Sequence, residues 1–228
     1  MIIAVHQPNY LPWLGYFAKI ARADSFVFLD DVQFSKGSYT NRVQIARGGE
    51  AVWLTLPVRH DFGANSSAIA VANADWSRSH RDTLRQAYAR ARCFREVWGE
   101  FEAWLETATG GLAAINASLI EKVARRLGLT TPFCRSSEQG VAVGEADERL
   151  AAIVSKLAPG GTYLSGAGGA KYQAENAFSA KGLKLEYSPF KPQPYERSGE
   201  HFIPGLSVID ALFHLGFEGT SALIRPTI

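Results

Sequence analysis

The chain is short of sulfur and short of excess charge. Cys93 and Cys134 are its only cysteines among 228 residues. They stand far apart with no C-x-x-C spacing, which argues against a disulfide framework and a zinc ribbon and fits a reducing cytoplasm. Lys and Arg number 24 against 22 Asp and Glu, for a formal charge of +2. So mild a balance, with no basic stripe, argues against a nucleic-acid partner. No apolar run approaches the roughly 18 residues a membrane span needs. The first apolar run is interrupted at His6 and has no basic residues before it, unlike a secretory leader. Neither the dinucleotide glycine fingerprint nor a Walker A loop is present, and Ser165 lacks the G-x-S-x-G context of a hydrolase elbow. His60, His80 and His201 have no metal-ligand spacing, so no metal is expected.

What is there begins at the N-terminus. Ile2 to Val5 is an apolar run of the kind buried in a parallel sheet, and it stops at His6-Gln7-Pro8. Pro12 suits the first turn of a helix, and Leu14, Phe17, Ile20 and Ala21 then share one helical face. Asp24-Ser25 breaks that helix. Phe26 to Leu29 is a second apolar strand, ending in Asp30-Asp31. Strand, helix and strand make a parallel βαβ unit, and open α/β sheets place their sites at the carboxyl ends of such strands.

A polar loop from Val32 to Arg42 leads to Val43–Ile45 and Ala51–Val58, two strands predicted to turn at Gly48-Gly49. Ile69 to Val71 is read as one more strand. Residues 77–127 change to a helical pattern, read as an insertion of helices punctuated by Gly99 and by Gly110-Gly111 and capped at Gly128. Arg78, Arg81, Arg85, Arg90, Arg92 and Arg95 form its solvated face. Glu145 to Leu157 is a further helix. The opening theme then returns: strand Thr162–Leu164, glycine-rich turn Ser165–Gly169, helix Lys171–Lys181, strand Leu183–Tyr187. A glycine turn between strand and helix lets backbone N–H groups approach an anion. Pro189 to Tyr195 reads as an extended segment, and Ser207 as the cap of a helix, Val208–Leu215, ended by Gly216. The whole is expected to be one α/β domain with a three-layer, mostly parallel, Rossmann-like sheet and a helical insertion at about 77–127.

Four separated motifs carry a family resemblance. They are His6-Gln7-Pro8-Asn9-Tyr10-Leu11-Pro12-Trp13-Leu14-Gly15-Tyr16-Phe17, then Asp30 to Phe34 with Asn41-Arg42, then Tyr163 to Gly166, then Phe202 to Asp210. Together they resemble the signatures of the WbqC-like family over nearly the whole chain, with His214 standing where members carry another polar residue. The resemblance implies a bacterial cytoplasmic enzyme of O-antigen or related surface-glycan synthesis. It implies transfer of an acyl or aminoacyl group, glycyl among the candidates, to an amino sugar. The opening unit is also similar, more weakly, to adenylylating enzymes of the HIGH-motif kind, although Tyr16 stands at the second histidine position and the first is lost. A non-catalytic binding protein of a glycan-assembly complex is a third reading.

His6, at a strand's carboxyl end, is the candidate general base. Asp30 and Asp31 suit a substrate ammonium or a magnesium ion, and alternation along an extended segment turns only one of them to the site. Lys36 joins His6 and Asp30 as a candidate for the chemistry. Gln7 and Tyr10, Asn41 and Arg42, Ser165, Gly166, Gly168 and Lys171, and Tyr195 and Asp210 are the expected substrate contacts, with Asp210 also placed to meet the dipole of its own helix. The expected substrate is a nucleotide sugar or an activated acyl donor, with a nucleotide or an acyl thioester as donor and an acyl-carrier protein as a further partner.

Overall fold

The computed structural model describes residues 1–59, 63–141, 146–171 and 173–225. Its centre is a five-stranded sheet. β1 (Ile2–His6) is followed by α1 (Leu14–Arg22) and β2 (Ser25–Phe28). A hairpin of β3 (Arg42–Arg47) and β4 (Glu50–Thr55) comes next, with a small ribbon of β5 (Val58–Arg59) and β6 (Ala70–Val71). Three helices follow, α2 (Trp76–Tyr88), α3 (Phe94–Glu106) and α4 (Leu112–Arg126). The chain re-enters the sheet at β7 (Phe133–Arg135), crosses through α5 (Ala146–Leu157) to β8 (Thr162–Gly166), and continues through α6 (Glu175–Ser179) to β9 (Lys184–Ser188). α7 (Val208–Ile224) closes the fold.

The order across the sheet is β7-β2-β1-β8-β9, with every neighbouring pair parallel. β1 is therefore central. Its Ile3 and Val5 face a core with Val27, Tyr163, Ile153 and Phe178, under α5 and α6. Ala4 faces the other way, into a larger core with Phe17, Phe26 and Leu164, under α1, α7 and the α2–α4 helices. Helices on both faces of a parallel sheet make the three-layer Rossmann-like arrangement that the βαβ pattern predicts.

Several expected boundaries move. Gly99 lies inside α3; the break falls at residues 89–93, where the Cys93 N–H bonds the Phe213 carbonyl of α7 instead of an upstream carbonyl. Phe133–Arg135, too short to signal itself, is a strand because it completes the sheet edge beside β2. The helix expected over Lys171–Lys181 is a 3-10 turn at Ala167–Lys171 and then the brief α6. β4 ends at Thr55, ahead of Pro57, and Val58 pairs instead with Val71. Gly216, at φ 71°, breaks the last helix as expected, but a second helical segment continues to Ile224. Glu145 and His60 lie outside the described residues.

Candidate active-site crevice

Strands leave β1 toward β2 on one side and β8 on the other, so the topology switches direction at the carboxyl ends of β1 and β8. Such a switch point opens a crevice, because the crossovers on either side depart from opposite faces. Here the hollow has a volume of about 780 Å³, and both expected corners reach it. His6 and Gln7 come from the end of β1, and Ser165, Gly166, Gly168 and Gly169 from the end of β8 and its turn. Asp147 and Leu150 of α5 form one flank, and Trp13 and Phe190 make an aromatic wall, their rings 5.6 Å apart and edge to face. A side chain at Gly15 would place its Cβ 2.3 Å from the Trp13 indole, so glycine here lets that ring fold over the start of α1. At Gly169 a Cβ would lie 2.4 Å from Ser165 Oγ and 2.5 Å from Gln173 Oε1, which keeps the turn tight against the strand end.

His6 is half-buried, and its Nδ1 lies 3.0 Å from the Gln7 carbonyl. A carbonyl can only accept, so Nδ1 carries the hydrogen and Nε2 the free lone pair. Burial, and then the nearby Lys19 charge, pull its pKa down to about 3, which keeps the ring neutral. Lys19 is the residue that sequence reasoning passed over. It occupies a helix position between Phe17 and Ile20, and a lysine in α1 reads by default as a solvated side chain. Instead it is 3% exposed, lines the crevice, and donates from Nζ to the Val5 carbonyl at 3.1 Å, with the Phe26 ring 5.7 Å away. No carboxylate among the described residues forms an ion pair with it, and desolvation lowers its pKa to about 7. A signal did exist: α1 reads Leu-Gly-Tyr-Phe-Ala-Lys-Ile-Ala-Arg, with Lys19 and Arg22 its only charged residues, so the helix has hardly any polar face on which a lysine could lie.

Other expected site residues lie elsewhere. The Asp30 carboxylate turns toward β7 and accepts hydrogen bonds from Ser136 Oγ (3.2 Å), the Ser137 amide (3.1 Å) and Ser137 Oγ (2.9 Å). Asp31 pairs with Arg149 of α5, at 2.5 Å, and also accepts from Ser136. Both carboxylates thus fasten elements around the crevice without lining it. Tyr10 is fully buried with its hydroxyl 2.6 Å from His80 Nδ1. Asn41 donates to the Leu56 carbonyl at 3.2 Å, and the Arg42 guanidinium stacks 4.1 Å from the Trp53 ring. Lys36 and Lys171 are exposed and do not line the crevice. Asp210 is fully buried, held by Arg197 Nε and Nη2 at 3.0 Å and by the Tyr195 hydroxyl at 2.6 Å.

The same motifs nevertheless converge, on the loop that leaves β1. Asn116 donates to the Pro8 and Thr40 carbonyls at 2.8 and 2.7 Å, the Tyr10 amide bonds the Tyr39 carbonyl, and the Tyr16 hydroxyl bonds the Gln7 carbonyl at 3.0 Å. Ser207 Oγ donates to the carbonyl of Leu11, whose φ is 43°, while the Val208 amide bonds Pro12. A non-glycine residue at positive φ costs about 1–2 kcal/mol, so the loop is held by its neighbours and does not set its own shape.

A family model for the WbqC-like protein family matches residues 7–222. The chain belongs to the WbqC-like protein family. The match starts at Gln7, one residue after His6, and runs through β1's exit loop, β8 with its glycine turn and most of α7, so it takes in most of the crevice lining and the clamps of the loop. The uncharacterized protein Rv1507c of Mycobacterium tuberculosis is 29% identical over 225 residues, covering 97% of this chain and 96% of its own length. No solved structure matches the chain. Among the described residues no helix is long and apolar enough to cross a membrane, and no group of three or more His, Cys, Asp or Glu is placed to hold a metal ion.

Proposed function

We propose that this WbqC-like protein is a transferase of surface-glycan assembly, passing an acyl or aminoacyl group (glycyl among the candidates) to the amine of an amino sugar. The observation that carries the reading is the meeting of His6, Lys19 and the Ser165–Gly169 turn in one hollow. Amine acylation forms an N–C bond, breaks the bond from the acyl carbon to the donor's leaving group, and releases one proton. An imidazole held near pKa 3 is a poor proton store, but its Nε2 lone pair accepts a hydrogen bond from the attacking amine. Lys19, neutral from about pH 7 upward, is the stronger base of the pair and takes the proton. Main-chain amides of the glycine turn are suited to the developing oxyanion, and the Trp13–Phe190 wall to the face of a sugar or base. The donor is an activated acyl group, nucleotide-linked or carried as a thioester on a coenzyme or an acyl-carrier protein.

The test is a mass assay with nucleotide-linked amino sugars, a panel of acyl and aminoacyl donors, and the wild-type chain beside His6→Gln and Lys19→Met. An acylated sugar formed by wild type and lost on a ~10²-fold scale in both variants supports the reading. Equal product from all three would overturn it. Pyrophosphate release from ATP on adding the acyl acceptor would point instead to adenylylation.

A further inference from the structure

A second hollow of about 590 Å³ adjoins the crevice, and Ser188 and Phe190 border both. It lies where β9 ends, between α1 and the tail of α7, and three cations reach it: Arg22, Lys191 and Arg225. No acidic residue lines it among the described residues. Glu186 approaches Arg22 only at 3.9 Å with a half-exposed side chain, too loose to quench that charge. The Arg225 guanidinium packs against Gly128 at the end of α4, while Arg22 reaches the basin from α1 and Lys191 from the segment after β9.

Two buried polar atoms on this basin have no partner. Ser188 is 4% exposed and its Oγ makes no hydrogen bond; Arg22 Nη1 is likewise buried and unbonded. A buried hydroxyl or guanidinium N–H left unpaired is costly, and native structures leave few of them. Here the two orphans sit on one basin with Lys191; the guanidinium and the ammonium can only donate, and the Ser188 hydroxyl is free to donate. Positive charge and unused donors gathered with no carboxylate among the described lining residues describe the complement of a polyanion. The aromatic wall of the crevice continues through Phe190 into the basin, so a substrate can lie across both with its anionic part beside Ser188.

We propose that this basin is a subsite for the phosphoanhydride of the substrate, held by Arg22, Lys191 and the Ser188 hydroxyl while the reacting end lies beside His6. The proposal deepens the transferase reading and rests on it for the role of the crevice. A phosphoanhydride occurs in nucleoside-diphosphate sugars and in coenzyme A alike, and the geometry answers to the shared group.

Calorimetric titration of the full chain with inorganic pyrophosphate, UDP and coenzyme A tests it. Pyrophosphate should bind, weakening about tenfold in Arg22→Gln and in Lys191→Gln, and less tightly at higher salt. His6→Gln should bind it as wild type does. Ser188→Ala is the discriminating variant: it should weaken binding severalfold yet leave the unliganded melting temperature unchanged or raised, because the hydroxyl has no partner to lose. Competition of pyrophosphate with UDP alone would identify a nucleotide-linked substrate, and with coenzyme A alone a thioester donor. No binding of any of the three, wild-type affinity in both charge variants, or a lowered unliganded melting temperature in Ser188→Ala would overturn the proposal. Acyl transfer observed without pyrophosphate binding would sink this subsite alone, and pyrophosphate binding without transfer would sink the reaction alone.

Discussion

Lys19 shows how a single side chain can work against the fold that carries it. An ammonium of pKa about 10.5 in the unfolded chain falls to about 7 in the folded one. Between those values the unfolded state holds a proton that the folded state has released, so stability from this group rises with pH across that window. Below pH 7 both states are charged and the burial penalty is present in full; above 10.5 both are neutral and it vanishes. Lys19→Met should therefore raise stability at pH 7, on the order of 3 kcal/mol, and flatten the rise in stability between pH 7 and 10. Denaturant unfolding followed across that range checks it. A destabilised or unchanged variant would mean that the Val5 hydrogen bond outweighs desolvation. A residue retained against stability is the pattern expected of a working site. His6 adds an effect of the same sign and similar size at lower pH: as pH falls from 6.5 toward 3 the unfolded chain takes up a proton that the folded one does not, and stability falls.

At the scale of elements, charged residues that the sequence offered as ligands act as fasteners. Asp210, in the first turn of α7, is wholly engaged by Arg197 and Tyr195, and Arg197 Nη1 reaches on to the His201 carbonyl at 2.6 Å. The pair ties residues 195–201 to the helix start. Asp210→Asn leaves the Arg197 guanidinium, 1% exposed, with only the half-exposed Glu200 carboxylate at 3.1 Å as counter-charge, and should cost about 3 kcal/mol in denaturant unfolding. Asp30 plays the matching part between β2 and the residues after β7. Asp30→Ala should lose about 2–3 kcal/mol, with pyrophosphate affinity kept; a loss of affinity at unchanged stability would return Asp30 to the site. The helical stretch teaches the same lesson about boundaries. Its core faces were legible from the 3.6-residue period, in Trp98, Phe101, Trp104 and Leu105 for example, all buried in α3. The break before α3 was not, because residues 89–93 contain neither glycine nor proline and the turn is held by a carbonyl of α7.

Taken whole, the molecule places its site by topology. With β1 in the middle of the sheet and the β7 and β9 strands at the edges, β1 is paired on both sides at Ile3 and Ala4 and on one side over the rest of its length. Native-state hydrogen exchange should find the amides of β1 among the slowest and those of β7 and β9 markedly faster, and the reverse order would contradict the sheet order described above. The crevice then opens beside the most rigid strand, which is where a site needs to be if its groups are to hold position.

The sequence by itself determined the parallel α/β class, the βαβ opening, the hairpin at Gly48-Gly49 and the polar corners after β1 and β8. Each of these is written in short-range period and turn chemistry, which neighbouring residues decide among themselves. Only the tertiary structure decided that β8 lies beside β1, that Lys19 points inward without a carboxylate, and that Asp30 and Asp210 are spent on Ser137 and Arg197. Which long-range neighbour meets a given charge depends on crossovers of many residues, and so does whether that charge is solvated, paired or stranded. Local pattern carries no record of these outcomes.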